Sequence, residues 1–177
     1  QSRFYENMIG RSKDFWEPLF PKLQATYPDE LSDVTLDTFI AAINKAEPGP
    51  IRIEADELTY PLHILIRYEL EKELFSGTCK VSDLPKLWNQ KYTEYLGITL
   101  ENDSEGLLQD IHWSMASFGY FPSYAVGSAI AAQLYCHMER EIPLSKYLKE
   151  GNTVPIREYL RDHIHKYGAV YPTNELL

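Results

Sequence analysis

Residues 106 to 124 read GLLQDIHWSMASFGYFPSY, which sets Gln109, Asp110, His112, Trp113, Ser114, Tyr120, Ser123 and Tyr124 among apolar neighbours. Buried donors and acceptors cost free energy unless they find partners, so such a mixture implies either a polar network or a site. His112 stands three residues after Gln109, and Tyr120 and Tyr124 come within reach if the chain folds back. Together they supply a titratable imidazole, an amide and two phenols, the groups that stabilise a developing oxyanion. The competing explanation is a core histidine satisfied within a polar network, and spacing alone favours it.

A second candidate is Arg52, placed between Ile51 and Ile53 directly after the rigid turn Glu47-Pro48-Gly49-Pro50. Its planar fork suits two-point capture of a carboxylate, although an ion pair with Glu54, Asp56 or Glu57 is the simpler use. Those three acids precede a helix, where capping and the helix dipole explain them first. None of the histidines, His63, His112, His137, His163 and His165, belongs to a HExxH pair, and the stretch from His137 to Glu141, HMERE, only mimics its opening His and Glu, with Met138 between them. His163 and His165 lie two apart on a helix, hence on different faces, and read as solvated. With no P-loop, GxSxG elbow or GxGxxG run, the residues by themselves show no complete catalytic machine.

The elements that must position these groups read as helices. Aromatic and aliphatic residues recur at helical spacing through residues 2 to 26, with a break near Gly10 to Ser12. Thr35 or Asp37 caps a short helix carrying Phe39, Ile40, Ile43 and Ala46. Residues 51 to 55 alternate apolar and polar as a short strand does, which puts Arg52 and Glu54 on one face. The following helix runs to about Phe75, with Leu62, Leu65, Ile66, Leu70 and Leu74 toward the core and Arg67, Glu71 and Lys72 mostly away from it. Ser82 or Asp83 caps the next helix, which Gly97 ends. Residues 127 to 138 have little polar face and read as a buried helix; shorter helices occupy 144 to 149 and 155 to 167.

Composition narrows the function. At 177 residues the chain is long enough for one sizeable core. Its 26 acidic and 17 basic residues give a net charge of -9, which argues against nonspecific binding to nucleic acid or an anionic membrane. No apolar run approaches the length of a membrane span. Cys79 and Cys136 are far apart and form no CxxC, so neither a disulfide framework nor a cysteine zinc site is indicated and a reducing, intracellular setting is the default. Thirteen tyrosines, with their apolar rings and polar tips, suit clefts and interfaces as well as cores.

Three segments carry a resemblance: IRIEADELTYPLHILIRYELE from residue 51, GLLQDIHWSMASFGYFPSYAVG from residue 106, and the tail IREYLRDHIHKYGAVYPTNELL. They resemble the carboxyl-terminal third of the thermostable, Taq-type zinc carboxypeptidases, and the first two match that family's IRxxAD and GxxQDxHW motifs in full. The opening QSRFYEN, which lacks an initiator methionine, is similar to the residues just after the family's His-Glu-Ser motif. The resemblance implies an all-α fold around a deep cleft, mostly helical with at most one short strand or hairpin, in which residues 1 to 177 are a single helical unit and a C-terminal fragment of a larger catalytic domain. It implies zinc, replaceable by another divalent metal, held upstream of Gln1 by HExxH and His-Glu-Ser, so that the fragment alone neither binds the metal nor hydrolyses peptides.

On the same resemblance Arg52 docks the free carboxylate of a peptide C-terminus, and Gln109 and His112 face substrate or the tetrahedral oxyanion. Tyr120 or Tyr124 adds a phenolic donor, while Asp110 and Trp113 orient and pack. Family members are typically cytosolic homodimers acting on peptides. The alternative is a non-catalytic helical module that works by binding a partner.

Overall fold

The computed structural model describes residues 2–176, and among them every regular element is helical. A π-helical segment, Phe4–Ile9, leads into α1 (Lys13–Trp16), α2 (Phe20–Thr26), α3 (Pro28–Leu31) and α4 (Leu36–Ile43). The longer helices are α5 (Tyr60–Ser76), α6 (Leu84–Leu96) and α7 (Pro122–Glu141), and α8 (Leu144–Lys149), α9 (Val154–His163) and α10 (Thr173–Leu176) complete the order. Among the described residues no helix is long and apolar enough to cross a membrane.

Local chemistry accounts for most boundaries. The break at Gly10 to Ser12 is present, and the Ser12 hydroxyl accepts the Phe15 N–H to cap α1. Thr35, rather than Asp37, caps α4 by accepting the Thr38 N–H. Asp56 accepts the N–H groups of Leu58 and Thr59 and so turns the chain into α5, whose Pro61 sits in the first turn where its missing N–H costs nothing. Gly77 and Gly97 close α5 and α6 in the left-handed conformation that glycine adopts without strain.

Four sequence expectations are corrected. Residues 51 to 55 form no strand; Arg52–Glu54 is a 3-10 turn, closed by the N–H groups of Glu54 and Ala55 donating to the carbonyls of Ile51 and Arg52. Burial is consequently reversed from the alternating pattern, with Arg52 inside, Glu54 exposed and Ile53 75% exposed. In α5 the buried side chains include Arg67 and Glu71 alongside Ile66 and Leu70, while Leu65 reaches solvent. The third concerns α7, which is open rather than sunk: only Ala131 and Met138 are buried along it, because small side chains fill little space and one face alone is packed. The fourth is the last long helix, which stops at His163 and passes into a separate 3-10 turn, His165–Tyr167.

Apolar packing gathers in three clusters. Phe4 and Ile9 meet Ala131 and Met138 of α7, Leu144 and Leu148 of α8, and Ile156 and Leu160 of α9. A second cluster joins Ile66 and Leu70 of α5 to Leu84, Trp88, Tyr92 and Leu96 of α6, with Leu100 beyond it. Each such fully buried large side chain contributes about 1.5–3 kcal/mol relative to exposure. The third and smallest, Tyr60, Ile64 and Phe121, lies where α5 packs against α7. The polar groups singled out by their chemistry meet beside it.

Candidate functional site

Arg52 enters from its 3-10 turn and Arg67 from the middle of α5, and they converge on one carboxylate. Arg52 donates from Nε (3.0 Å) and Nη2 (2.6 Å) to Oδ1 of Asp110, and from Nη1 to the Tyr60 hydroxyl at 2.8 Å. Arg67 donates from Nε to Oδ2 of Asp110 at 2.6 Å and from Nη1 to the His63 carbonyl at 2.8 Å. Both arginines are buried, and both pack on aromatic faces, Arg67 over Trp88 at 4.6 Å and Arg52 beside Tyr124 at 5.2 Å. Burial by itself would raise the Asp110 pKa, but the hydrogen bonds from Arg52 and the charges of Arg67 and Arg52 hold it below the usual carboxylate range. The ion-pair partner of Arg52 is therefore Asp110, and none of Glu54, Asp56 and Glu57 takes that place.

Gln109 engages its whole amide inside the chain. Its Oε1 accepts the Arg52 backbone N–H at 2.8 Å, while the two N–H groups of Nε2 are shared among the carbonyls of Pro50 and Glu105 and the Tyr92 hydroxyl. It pins the turn that carries Arg52 to the segment that carries Asp110. With Nε, Nη1 and Nη2 all engaged at 5% exposure, Arg52 keeps only two N–H groups for anything else.

Two histidines flank this cluster. His63 is wholly buried, and its Nδ1 lies 3.1 Å from the Tyr92 hydroxyl. That hydroxyl donates its one proton to the Pro50 carbonyl, so His63 must donate from Nδ1 and leave Nε2 bare, and no protein group meets Nε2. Burial, with the charges of Arg67 and Arg52, depresses its pKa to about 4. A core histidine thus exists in this fold, but it is His63, bonded through Nδ1 alone.

His112 sits differently. Its ring packs on Phe121 at 4.4 Å, Nε2 is 3.0 Å from the Tyr124 hydroxyl, and Nδ1 faces Asp110 Oδ1 at 3.9 Å without a hydrogen bond. Burial lowers its pKa, and the pull of Asp110 the other way is offset by Arg52 and Arg67. Burial raises the pKa of Tyr124 in turn. The two candidate tyrosines are hence distinguished: Tyr124 is half-buried and bonded to His112, whereas Tyr120 is 49% exposed, with its ring edge-on to Tyr124 at 5.3 Å.

The loop from Asp110 to Phe121 is held from below by Glu71. Its Oε1 accepts the Trp113 indole N–H at 2.6 Å, and its Oε2 accepts the Gly119 backbone N–H at 2.9 Å. Within the loop the Ser117 N–H donates to the His112 carbonyl at 2.8 Å, and Ala116 adopts a left-handed φ of 57°, rare for a residue with a side chain. Sequence reasoning gave Asp110 and Trp113 their orienting parts but missed Tyr60, His63, Arg67, Glu71 and Tyr92. The signal was present for four of them: Tyr60, His63, Arg67 and Glu71 are spaced three, four and four along α5, which makes one polar stripe on a buried helix.

This arrangement offers a neutral imidazole paired with a phenol, next to two guanidinium groups that share a single carboxylate. Such a surface favours an anion or a developing negative charge.

The family model for carboxypeptidase Taq (M32) metallopeptidases matches residues 1–177. Carboxypeptidase 1 of Bacillus subtilis (strain 168) is 53% identical over 169 residues, which cover 95% of this chain and 34% of that protein. The structure of Pyrococcus furiosus carboxypeptidase superposes with a TM-score of 0.96 at 44% identity, covering 100% of this chain and 36% of that one. That of the M32 carboxypeptidase from Deinococcus radiodurans R1 gives 0.93 at 35% identity, over 99% and 36%. The chain spans about a third of the length of the relatives it matches. With its whole length matched by the family model and its backbone shared with solved relatives, the chain belongs to the carboxypeptidase Taq (M32) metallopeptidase family.

Proposed function

We propose that this chain is the carboxyl-terminal third of a divalent-metal carboxypeptidase that releases residues from peptides with a free C-terminus, and that it supplies the substrate side of the site. Among the described residues no group of three or more His, Cys, Asp or Glu could hold a metal ion. In this proposal the zinc, or another divalent ion in its place, is held by residues outside this chain, and the chain alone is catalytically incompetent. The family likeness supports a homodimer as the working form, and the two unpaired cysteines fit a reducing, cytoplasmic setting.

The observation that carries the proposal is the His112–Tyr124 pair. Two polar atoms 3.0 Å apart, Nε2 and the phenol oxygen, stand beside a cluster in which two arginines face one carboxylate. A tetrahedral oxyanion lodged against both atoms accepts hydrogen bonds from Nε2–H and from the phenol, and the low pKa of His112 keeps the imidazole in its neutral form. Arg52 receives the substrate's terminal carboxylate through its two spare N–H groups, and Gln109 acts on substrate through the backbone of Arg52, which it fixes. Tyr120, exposed at the rim, contacts the peptide.

In the full-length enzyme His112→Ala should lower kcat by about a hundredfold or more with KM little changed, since the lost contact belongs to the transition state. Steady-state kinetics on a short free-acid peptide measure this. An unchanged kcat would overturn the proposed part of His112.

A further inference from the structure

Glu71 is a buried carboxylate, 5% exposed, that touches neither arginine of the cluster through a hydrogen bond or ion pair among the described residues. Both oxygens instead hold one loop, at Trp113 and Gly119, either side of the left-handed Ala116. His112 is the residue immediately before the first anchor, and Tyr120 comes immediately after the second. The carboxylate of α5 thus grips the loop at two points six residues apart. Between those points the hydrogen bonds of the loop stay within residues 111 to 117, and its one further tie to α5 is apolar, Phe118 edge-on to Phe75 at 5.0 Å. Trp113 is further wedged between Trp88 at 5.9 Å and Phe118 at 6.4 Å, so a shift of the indole moves the backbone that bears His112.

We propose that Glu71 is a positioning residue for catalysis: by clamping Trp113 and Gly119 it sets the distance between His112 and Tyr124. The proposal rests on the reading of His112 as a transition-state contact. A carboxylate is suited to this duty because both anchors are donors and it only accepts; an amide would present N–H to one of them and push it away. The energetic logic is that of a second layer holding the first, where a displacement of about 1 Å costs up to a hundredfold in rate.

The test uses the full-length metal-loaded enzyme in a cycle of Glu71→Gln, His112→Ala and the double variant, with kcat measured per folded active site. Glu71→Gln should lower kcat about tenfold or more in the wild-type background, and should cost less than about twofold once His112 is Ala, because it acts through that side chain. Hydrogen exchange of residues 113 to 120 should quicken in Glu71→Gln. Equal losses in both backgrounds would mean generalised damage and overturn the proposal, as would an unchanged kcat in Glu71→Gln when His112→Ala is impaired. Should His112→Ala itself prove silent, the reading of His112 fails first and the clamp falls with it. If Glu71→Gln does not fold, Trp113→Phe removes one anchor alone and enters the same cycle with the same expected outcomes.

Discussion

His112 and His63 lie near the same pair of arginines, yet one is built for exchange and the other for permanence. His63 donates to Tyr92 inside the core, whereas His112 meets a tyrosine that is itself only half-buried. Arg52 combines both roles in one side chain. It supports Asp110 and Tyr60 from within, which leaves a narrow edge for a ligand. A lysine there would keep the charge but lose the fork, so Arg52→Lys should raise KM for free-acid peptides about tenfold or more and erase their advantage over the corresponding amides. Competition assays with paired acid and amide inhibitors measure it; equal weakening of both would refute carboxylate docking.

At the scale of the element, α5 is the organising piece, a helix whose buried stripe is polar. The sequence declared its helical period, and Pro61 and Gly97 marked the start of α5 and the end of α6, but the side-chain cap expected from Ser82 or Asp83 is absent because the Asp83 carboxylate accepts the Lys80 N–H instead. What stayed hidden was the orientation of Arg67 and Glu71, because an arginine or glutamate is buried only when a partner distant in sequence accepts it. Those partners, Asp110, Trp113 and Gly119, lie more than forty residues away. The same dependence misled the alternating pattern around Arg52, where the buried arginine and its ion pair leave Ile53 in solvent. The motif match did place Arg52, Gln109, Asp110 and His112 in one neighbourhood, where hydrogen bonds join Arg52 to Gln109 and Asp110 and the His112 ring stands 3.9 Å from Asp110.

The buried stripe also sets a pH response. His63 has a folded pKa of about 4 against an ordinary 6.5, so below 6.5 the unfolded chain binds a proton that the folded one refuses. Stability should therefore be unaffected by His63 above pH 6.5 and fall as pH drops from 6.5 toward 4, by on the order of 3 kcal/mol. Chemical denaturation at a series of pH values tests this. A His63→Gln variant should flatten that window, and an equally steep decline in the variant would exclude His63 as its source.

For the whole molecule, the three apolar clusters leave an open groove of about 370 Å³ between α5 and α7, lined by Leu62, Ile64, Leu65, Tyr68, Ala125 and Val126 among others. Its walls are almost entirely apolar, and Val126 is 56% exposed. Contiguous apolar surface of this kind seeks cover in water. The 177-residue chain on its own should therefore self-associate, with a weight-average mass that climbs with concentration in sedimentation experiments. A constant monomer mass over a wide concentration range would contradict that expectation.

The meeting of Trp88 and Trp113, edge to face at 5.9 Å, carries one more consequence. Two indoles this close couple optically, and one of them is bonded to Glu71 within the loop that bears His112. Near-ultraviolet circular dichroism, which vanishes when side chains lose fixed packing, therefore carries a contribution from this loop, which Trp113→Phe isolates from that of Trp16 against Phe39. The protein contains its own chromophoric gauge of whether that corner is assembled, readable without substrate or metal.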